Sequence, residues 1–169
     1  MHDELVDLVD RTGRIAHRGV WRSYVKKNRA ELTASGLYLP IAIVVVLDER
    51  GRIVAQERGK RKSDGGCIDH VCGGQMSGED ILTTAQREAA QEVSVRLHSM
   101  RIVAAGVNAY GRYRTLLAAR TKSHPRIGDY YEVERIVCES PAALANAHHL
   151  GTYRFVKGFF EDMQTALSA

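Results

Sequence analysis

The 169 residues suit one domain, because a chain of this length buries a hydrophobic core without help from disulfides. Hydrophobic residues make up 44% and charged residues 26% of the sequence, which excludes the low-complexity and disordered classes. The formal charge of +4 raises nucleic acid as a partner, but the basic residues are scattered and form no long tract. We therefore predict no binding to a nucleic-acid polymer.

The cysteines and the apolar runs bear on the cellular compartment. Three cysteines, an odd number, occur in a chain that starts without a basic-then-apolar signal segment. The longest apolar run covers only residues 41–47, far short of the roughly 20 residues that a membrane-spanning helix needs. We expect a cytoplasmic protein that has no membrane partner.

The first half of the chain reads as two hairpins separated by an arm. Gly13 supplies the turn of the first hairpin, and an Asp- and Gly-bearing turn over 48–51 supplies that of the second. The predicted elements are strands over 5–9 and 14–16, a short helix or irregular arm over 21–32, strands over 38–47 and 52–56, a loop over 59–66 and a strand over 67–72. The apolar, β-branched run before the second turn predicts a central strand.

The second half begins with a helix and continues with strands. The predicted elements are a helix over 77–93, strands over 101–109, 112–119 and 131–138, and helices over 141–147 and 153–167. The last helix carries an apolar stripe, typical of core packing, at Phe155, Phe159, Met163 and Leu167. This order predicts an α/β (α+β) domain, a mixed sheet with helices on its faces.

Two glutamates in the predicted helix over 77–93 stand out. A spacing of four residues places Glu88 and Glu92 about 40° apart on one helix face, one turn from each other, where two carboxylates can converge on one cation. Both lie at the margin of an apolar stripe formed by Leu82, Ala85, Ala89 and Val93. The alternative for an isolated pair is a solvated helix face with Arg87 nearby.

The residues around this pair follow a spaced pattern. Gly73 is followed after five residues by Glu79, and after seven more by the run Arg87-Glu88-Ala89-Ala90-Gln91-Glu92-Val93-Ser94-Val95. The pattern resembles the Nudix box, G-x5-E-x7-R-E-U-x-E-E-x-G-U, in which U is apolar. The positions that match are Gly73, Glu79, Arg87, Glu88, Ala89, Glu92 and Val95. The order of the surrounding elements is also similar to that of the Nudix family.

The resemblance implies a single Nudix domain over 1–169, with an amino-terminal arm over 1–36 and the box over 73–95. The implied fold is an α/β/α sandwich with a mixed sheet and a catalytic loop-helix-loop. The implied activity is Mg²⁺- or Mn²⁺-dependent hydrolysis of a diphosphate bond in a nucleoside diphosphate linked to another group, with a small molecule as substrate. A homodimer is also expected, since that is the commonest assembly of a small soluble enzyme.

The family's site roles transfer by position. Glu88 and Glu92 become metal ligands, and Glu88 also becomes a base for water. In the same way Arg87 orients the carboxylates, while the carbonyl of Gly73 adds a ligand and Glu79 supports the loop.

Two box positions depart from the pattern. Gln91 replaces the first glutamate of the E-E pair, and a neutral amide is a weaker ligand for a hard cation than a carboxylate. This leaves open a site with one metal fewer, a slow enzyme, or a nucleotide-binding module that has lost efficient catalysis. Ser94 replaces the later glycine, which matters only if that residue needs a positive φ.

Residues outside the box complete the predicted site. A further acidic ligand often comes from a later strand or loop in this family, and the candidates are Asp129, Glu132 and Glu134, of which we prefer Glu132. The basic residues Arg58, Lys60 and Arg61 are candidate phosphate contacts. Candidates for stacking on a base are Tyr38, Tyr110 and Tyr113.

A second branch of the family has to be weighed. The arm and the segment Val71-Cys72-Gly73 resemble isopentenyl-diphosphate isomerase, in which a cysteine at that place is a catalytic acid/base. The isomerase also binds metal through histidines, but here Gly74 stands at one histidine position and no histidine occurs between His17 and His70. Hydrolysis is favoured, and an isomerase-like enzyme that uses Cys72 stays the alternative.

Overall fold

The computed structural model describes residues 3–71 and 73–169. Cys72, the residue on which the isomerase alternative depends, therefore lies outside the described residues. The chain begins with the predicted hairpin, made of antiparallel strands β1 (Leu5–Val9) and β2 (Ile15–Trp21). The arm after it folds into two short helices, α1 (Arg22–Lys27) and α2 (Arg29–Ala34).

Six further strands form a mixed sheet. They are β3 (Leu39–Leu47), β4 (Ile53–Arg58), β5 (Ile68–His70), β6 (Leu97–Val107), β7 (Arg112–Thr121) and β8 (Val133–Glu139). Their order is β5-β4-β3-β7-β6, with β8 also paired to β4, and β3 is central as predicted. β3 and β7 run parallel while the other pairs are antiparallel, which confirms a mixed sheet.

Helices cover both faces of this sheet. They are α3 (Ile81–Val93), α4 (Pro141–His149) and α5 (Phe159–Ser168). Ala85 and Ala89 of α3 pack on one face with Val44 and Leu117, whereas Phe159 of α5 belongs to the core of the other face. The predicted layered α/β architecture is confirmed. Within the described ranges no helix has the length and apolar character needed to cross a membrane.

The helix of the box is shorter than predicted. It starts at Ile81 because the Asp80 side chain accepts a hydrogen bond from the Thr83 backbone N–H at 2.8 Å, while Gly78 before it has a φ of 73°. The predicted apolar stripe of this helix is also partly wrong, since Leu82 is 37% exposed. The buried face of α3 consists of Thr84, Ala85, Ala89, Glu92 and Val93.

The last helix also begins later than predicted. Residues before Gly158 are held against β5, where the Ile68 backbone N–H donates to the Arg154 carbonyl at 2.7 Å. Gly158, with a φ of 88°, then turns the chain into α5. Phe159 and Met163 are buried as predicted, but Leu167 is 42% exposed, and Ala166 is the buried residue at that end of the helix.

Candidate active site

Glu88 and Glu92 face one cleft. The cleft has a volume of about 600 Å³, and its wall comes from the box loop and helix, the strand β1 of the arm and the segment before β8. Six carboxylates line it, those of Glu4, Glu79, Glu88, Glu92, Asp129 and Glu132. The cations in the same wall are Arg22, Lys62 and Arg87. Because acidic groups outnumber basic ones two to one, the cleft favours a cation as a ligand.

Arg87 connects the polar side chains of the box. Its Nε donates to Glu79 Oε1 at 2.9 Å, and its Nη1 donates to Glu88 Oε1 at 2.6 Å. Nη1 also donates to Gln91 Oε1 at 3.1 Å, and Nη2 donates to the backbone oxygen of Gln75 at 3.4 Å. The guanidinium thereby fixes Glu88 relative to the loop that carries Glu79.

Glu92 is the buried member of the pair. Its side chain is 8% exposed and accepts a hydrogen bond from Gln56 Nε2 at 2.7 Å. Burial raises the pKa of Glu92 to about 8; the Gln56 hydrogen bond lowers it, and the nearby charge of Glu88 raises it further. In residues 3–71 and 73–169 no lysine, arginine or histidine pairs with this carboxylate.

The amino-terminal arm holds the box loop in place. Asp7 of β1 is buried, and its carboxylate accepts hydrogen bonds from the backbone N–H groups of Gly78 at 3.0 Å and Gly19 at 3.2 Å. Its own N–H donates to the Met76 carbonyl at 2.9 Å. Sequence reasoning missed Asp7, since its only signal is an acidic residue between two apolar ones.

The carboxyl end of α3 positions the segment before β8. The backbone N–H of Gly128 donates to the Glu92 carbonyl at 2.9 Å. A Cβ at Gly128 would lie 2.1 Å from the Gln91 carbonyl oxygen, so only glycine permits this approach. Asp129 follows directly and reaches the cleft wall.

Two of the three acidic residues considered as a further metal ligand line the cleft, and the third does not. Asp129 and Glu132 line the cleft, and Lys62 Nζ donates to Glu132 Oε1 at 2.5 Å. Glu134 instead lies 3.3 Å from Lys60 Nζ and is absent from the described wall of the cleft.

The residues predicted to contact phosphate and base lie outside the lining of the cleft. Among the described residues that line the cleft, Arg58, Lys60 and Arg61 do not occur, and Lys62 is the base of this loop that does. Arg58 is turned away because its Nη1 donates to Asp69 Oδ2 at 2.5 Å and its Nε to the Ser63 carbonyl. The three tyrosines also lie elsewhere: Tyr38 is core, Tyr113 donates to the Thr12 carbonyl, and Tyr110 is an exposed turn residue.

The sequence of this region also matches a family model. The model of the NUDIX domain matches residues 37–159, which include the cleft carboxylates from Glu79 to Glu132. The chain belongs to the Nudix family. No curated protein matches the sequence significantly.

Solved structures share the Nudix fold at low sequence identity. DR0079 from Deinococcus radiodurans has a TM-score of 0.68 and 19% identity over 94% of this chain and 96% of its own. A MutT structure, from work on Aliivibrio salmonicida and Vibrio cholerae, has a TM-score of 0.62 and 16% identity over 78% of this chain and 99% of its own. The Nudix domain of Shewanella oneidensis NrtR, complexed with ADP ribose, has a TM-score of 0.64 and 13% identity over 82% of this chain and 96% of its own.

The structure shows the surroundings of Ser94 and Gln91, the two residues that depart from the Nudix box. Ser94 adopts a φ of 55° at the end of the box helix, the left-handed conformation that favours the glycine of the pattern. Gln91 lies in the cleft wall, where its amide oxygen accepts from Arg87.

A divalent cation fits this Nudix cleft. In the described part of the chain no three His, Cys, Asp or Glu side chains are grouped so that they could hold an ion by themselves. However, Glu92 is a buried carboxylate without a cationic partner, and the buried Gln56 Oε1 beside it has no hydrogen-bond donor among the described residues. Both oxygens are ligand types for a hard cation, and water and substrate phosphate usually complete the coordination of Mg²⁺.

Proposed function

We propose that this Nudix protein is a hydrolase that depends on Mg²⁺ or Mn²⁺ and cleaves the diphosphate bond of a nucleoside diphosphate linked to another group. The observation that carries the proposal is the buried Glu92 carboxylate, which faces an acidic cleft one helical turn from Glu88 and has no cationic partner in the described chain. Holding such a charge out of water costs free energy that a divalent cation would offset. Family membership supports hydrolase activity.

The box residues of the cleft then have distinct tasks. Glu88 and Glu92 would hold the cation, with the carbonyl of Gly73 and the amide of Gln91 as further candidate ligands in the cleft wall. A cation bound there would offset the charge of the diphosphate and lower the pKa of a bound water. Glu88 accepts a proton from the attacking water, and Arg87 keeps its carboxylate aimed at the cleft.

Substrate phosphates need donors besides the cation. Arg87 is committed to four acceptors of the box, so it has little capacity left for a ligand. Lys62 has one side-chain acceptor, Glu132, and an ammonium group carries three N–H donors. We assign to Lys62 the contact with a phosphoryl oxygen, and to Glu132 the positioning of Lys62.

The alternative is a binding module with weak catalysis. It is favoured by Gln91, whose amide oxygen accepts from Arg87 at 3.1 Å in the place of a carboxylate. An isomerase-like site is less well supported, because the histidine that it requires after Gly73 would have to occupy the space filled by the Glu88 side chain. The role of Cys72, cytoplasmic localisation and the expected homodimer stay predictions.

The deciding experiment is a screen of diphosphate compounds with Mg²⁺ or Mn²⁺, read by mass spectrometry of the products. ADP ribose belongs in the screen because a fold relative was crystallised with it. We expect two phosphorylated products from at least one compound, and a loss of about 100-fold or more in Glu88→Gln and Glu92→Gln. The matched control is Glu139→Gln, which removes an exposed carboxylate at the end of β8. Ligand binding without turnover, unchanged by Glu92→Gln, would establish the binding module instead.

A further inference from the structure

Gln56 lies under the cleft, on the sheet and not in the box. It belongs to β4, is 4% exposed, and shares a sheet face with Val54, which packs in the core beneath α3. Its partner in the box is 36 positions away along the chain. Nothing in the box pattern refers to this residue.

The contact with Glu92 is a hydrogen bond between two buried side chains. Gln56 Nε2 donates to Glu92 Oε2 at 2.7 Å, at the short end of the range for an amide donor. Asp69 lies directly opposite Gln56 in the pairing of β4 with β5. Its carboxylate adds a negative charge near Glu92 and has no hydrogen to donate to it. Gln56 is thus the described side chain that donates to this carboxylate.

The other end of the amide is unsatisfied. Gln56 Oε1 is buried and receives no hydrogen bond from any described residue. A buried amide oxygen without a donor costs about 1–3 kcal/mol, so its retention calls for a partner. A hydrated cation held by Glu92 would present water donors at this place.

The box itself is short of one carboxylate. Gln91 stands where the pattern has a glutamate, and its amide oxygen already accepts from Arg87. Glu92 must therefore carry a larger share of cation binding than in a complete box, and its orientation matters correspondingly more.

We infer that Gln56 is a positioning residue of the metal site, which fixes Glu92 through Nε2 and accepts a hydrogen bond from a cation-bound water through Oε1. The inference rests on the proposed function, because that proposal places the cation at Glu88 and Glu92. Hydrogen-bonding partners of metal ligands contribute strongly to metal affinity, and their removal commonly costs 10–100-fold.

The test is Mn²⁺ binding to the full chain without substrate, measured by calorimetry and by the electron paramagnetic resonance spectrum of the bound ion. Gln56→Met keeps the side-chain length but removes both polar atoms, and we expect the Mn²⁺ dissociation constant to rise by about 10–100-fold. The bound-ion spectrum should broaden as the ligand geometry loosens. Gln56→Asn keeps the amide but is one methylene too short to reach Glu92, so it should weaken Mn²⁺ binding in the same way. It provides the test if Gln56→Met does not fold.

The matched control is Gln86→Met. Gln86 is a partly buried glutamine of α3 whose side chain accepts from the Leu97 N–H at 2.9 Å, away from the cleft. It should lose stability but keep the wild-type dissociation constant and spectrum. Circular dichroism establishes that each variant is folded.

The outcomes separate the two proposals. Wild-type Mn²⁺ affinity in folded Gln56→Met or Gln56→Asn overturns the inference and leaves the proposed function standing. Mn²⁺ binding that depends on Gln56, in a protein that hydrolyses no diphosphate compound, supports the inference and rejects the hydrolase. Absence of Mn²⁺ binding by the wild type removes both.

Discussion

Gly74 and Glu88 occupy adjoining space so closely that a side chain at one excludes the observed position of the other. A Cβ at Gly74 would lie 2.1 Å from Glu88 Cγ and 2.8 Å from Glu88 Oε1. The backbone cannot retreat easily, because the Gly74 carbonyl accepts from the Ala42 N–H at 2.9 Å and ties the box loop to the central strand. Glycine at this position is therefore part of the geometry of the site.

Gly74→Ala should displace the Glu88 carboxylate and break its hydrogen bond with Arg87. A misplacement of about 1 Å at a catalytic group can cost about 100-fold, so we expect kcat/KM to fall by about that factor while the protein stays folded. Steady-state kinetics measures this. Gly106→Ala is the control, since its added Cβ meets no atom within 4 Å. Wild-type activity in Gly74→Ala would contradict the assignment of Glu88.

Glu92 makes the metal-free protein less stable as pH rises. Its pKa is raised from 4.5 to about 8 in the folded protein, so between these values the carboxyl ionises in the unfolded chain while it stays neutral in the folded one, and stability falls as pH rises. Glu92→Gln abolishes that loss and should stabilise the metal-free protein by about 4 kcal/mol at pH 8, but not at pH 4. Urea unfolding at the two pH values tests this. An equal effect at both would mean that ionisation of Glu92 is not the cause.

Ser94 ends the box helix in a conformation that costs a serine free energy. Its φ is 55°, and a left-handed residue with a Cβ is disfavoured by about 1 kcal/mol relative to glycine. We expect Ser94→Gly to raise the free energy of unfolding by about 1 kcal/mol. Urea denaturation measures the change, with Ser63→Gly, at a residue without positive φ, as the control. A gain in both variants, or in neither, would argue against strain at Ser94.

Gln91 decides between an efficient and a weak metal site. Gln91→Glu restores the carboxylate of the Nudix pattern in the cleft wall, next to Arg87. We expect Mn²⁺ to bind about 10-fold more tightly, because a carboxylate is a stronger ligand for a hard cation than an amide. Calorimetry is the measurement, and Gln164→Glu at an exposed position of α5 adds the same charge elsewhere. Unchanged affinity would place residue 91 outside the coordination of the ion.

Lys62, and not its neighbours, should bind the substrate. Lys62→Met removes the ammonium group that lines the cleft and contacts Glu132. We expect KM to rise about 10-fold with a smaller change in kcat, because the substrate loses a contact made in the ground state. Lys60→Met is the matched control, because the Lys60 side chain is 77% exposed and pairs with Glu134. A larger effect at Lys60 would return the phosphate contact to the residues that the sequence suggested.

The sequence determined the elements and the box because both depend on local spacing. A spacing of four residues from Glu88 to Glu92 is about one turn in any α-helix, so their shared face followed without knowledge of the fold. The β-branched run before Asp48 likewise predicted a central strand, and β3 is central. Two helices that begin later than predicted show the limit of this approach: the Asp80 cap starts α3 at Ile81, and the pairing of Phe155 with Ile68 keeps the segment before α5 out of the helix.

Only the tertiary structure decided which distant residues meet the box. Gln56 reaches Glu92 because β4 lies beneath α3, and Asp7 reaches Gly78 because the arm folds back over the loop. Lys62 lines the cleft, whereas Arg58 donates to Asp69. The sequence pattern does not predict which basic residue of this loop faces the cleft. Contacts between residues far apart in the chain depend on how sheets, helices and loops pack, and spacing along a sequence carries information only about residues within a few turns of one another.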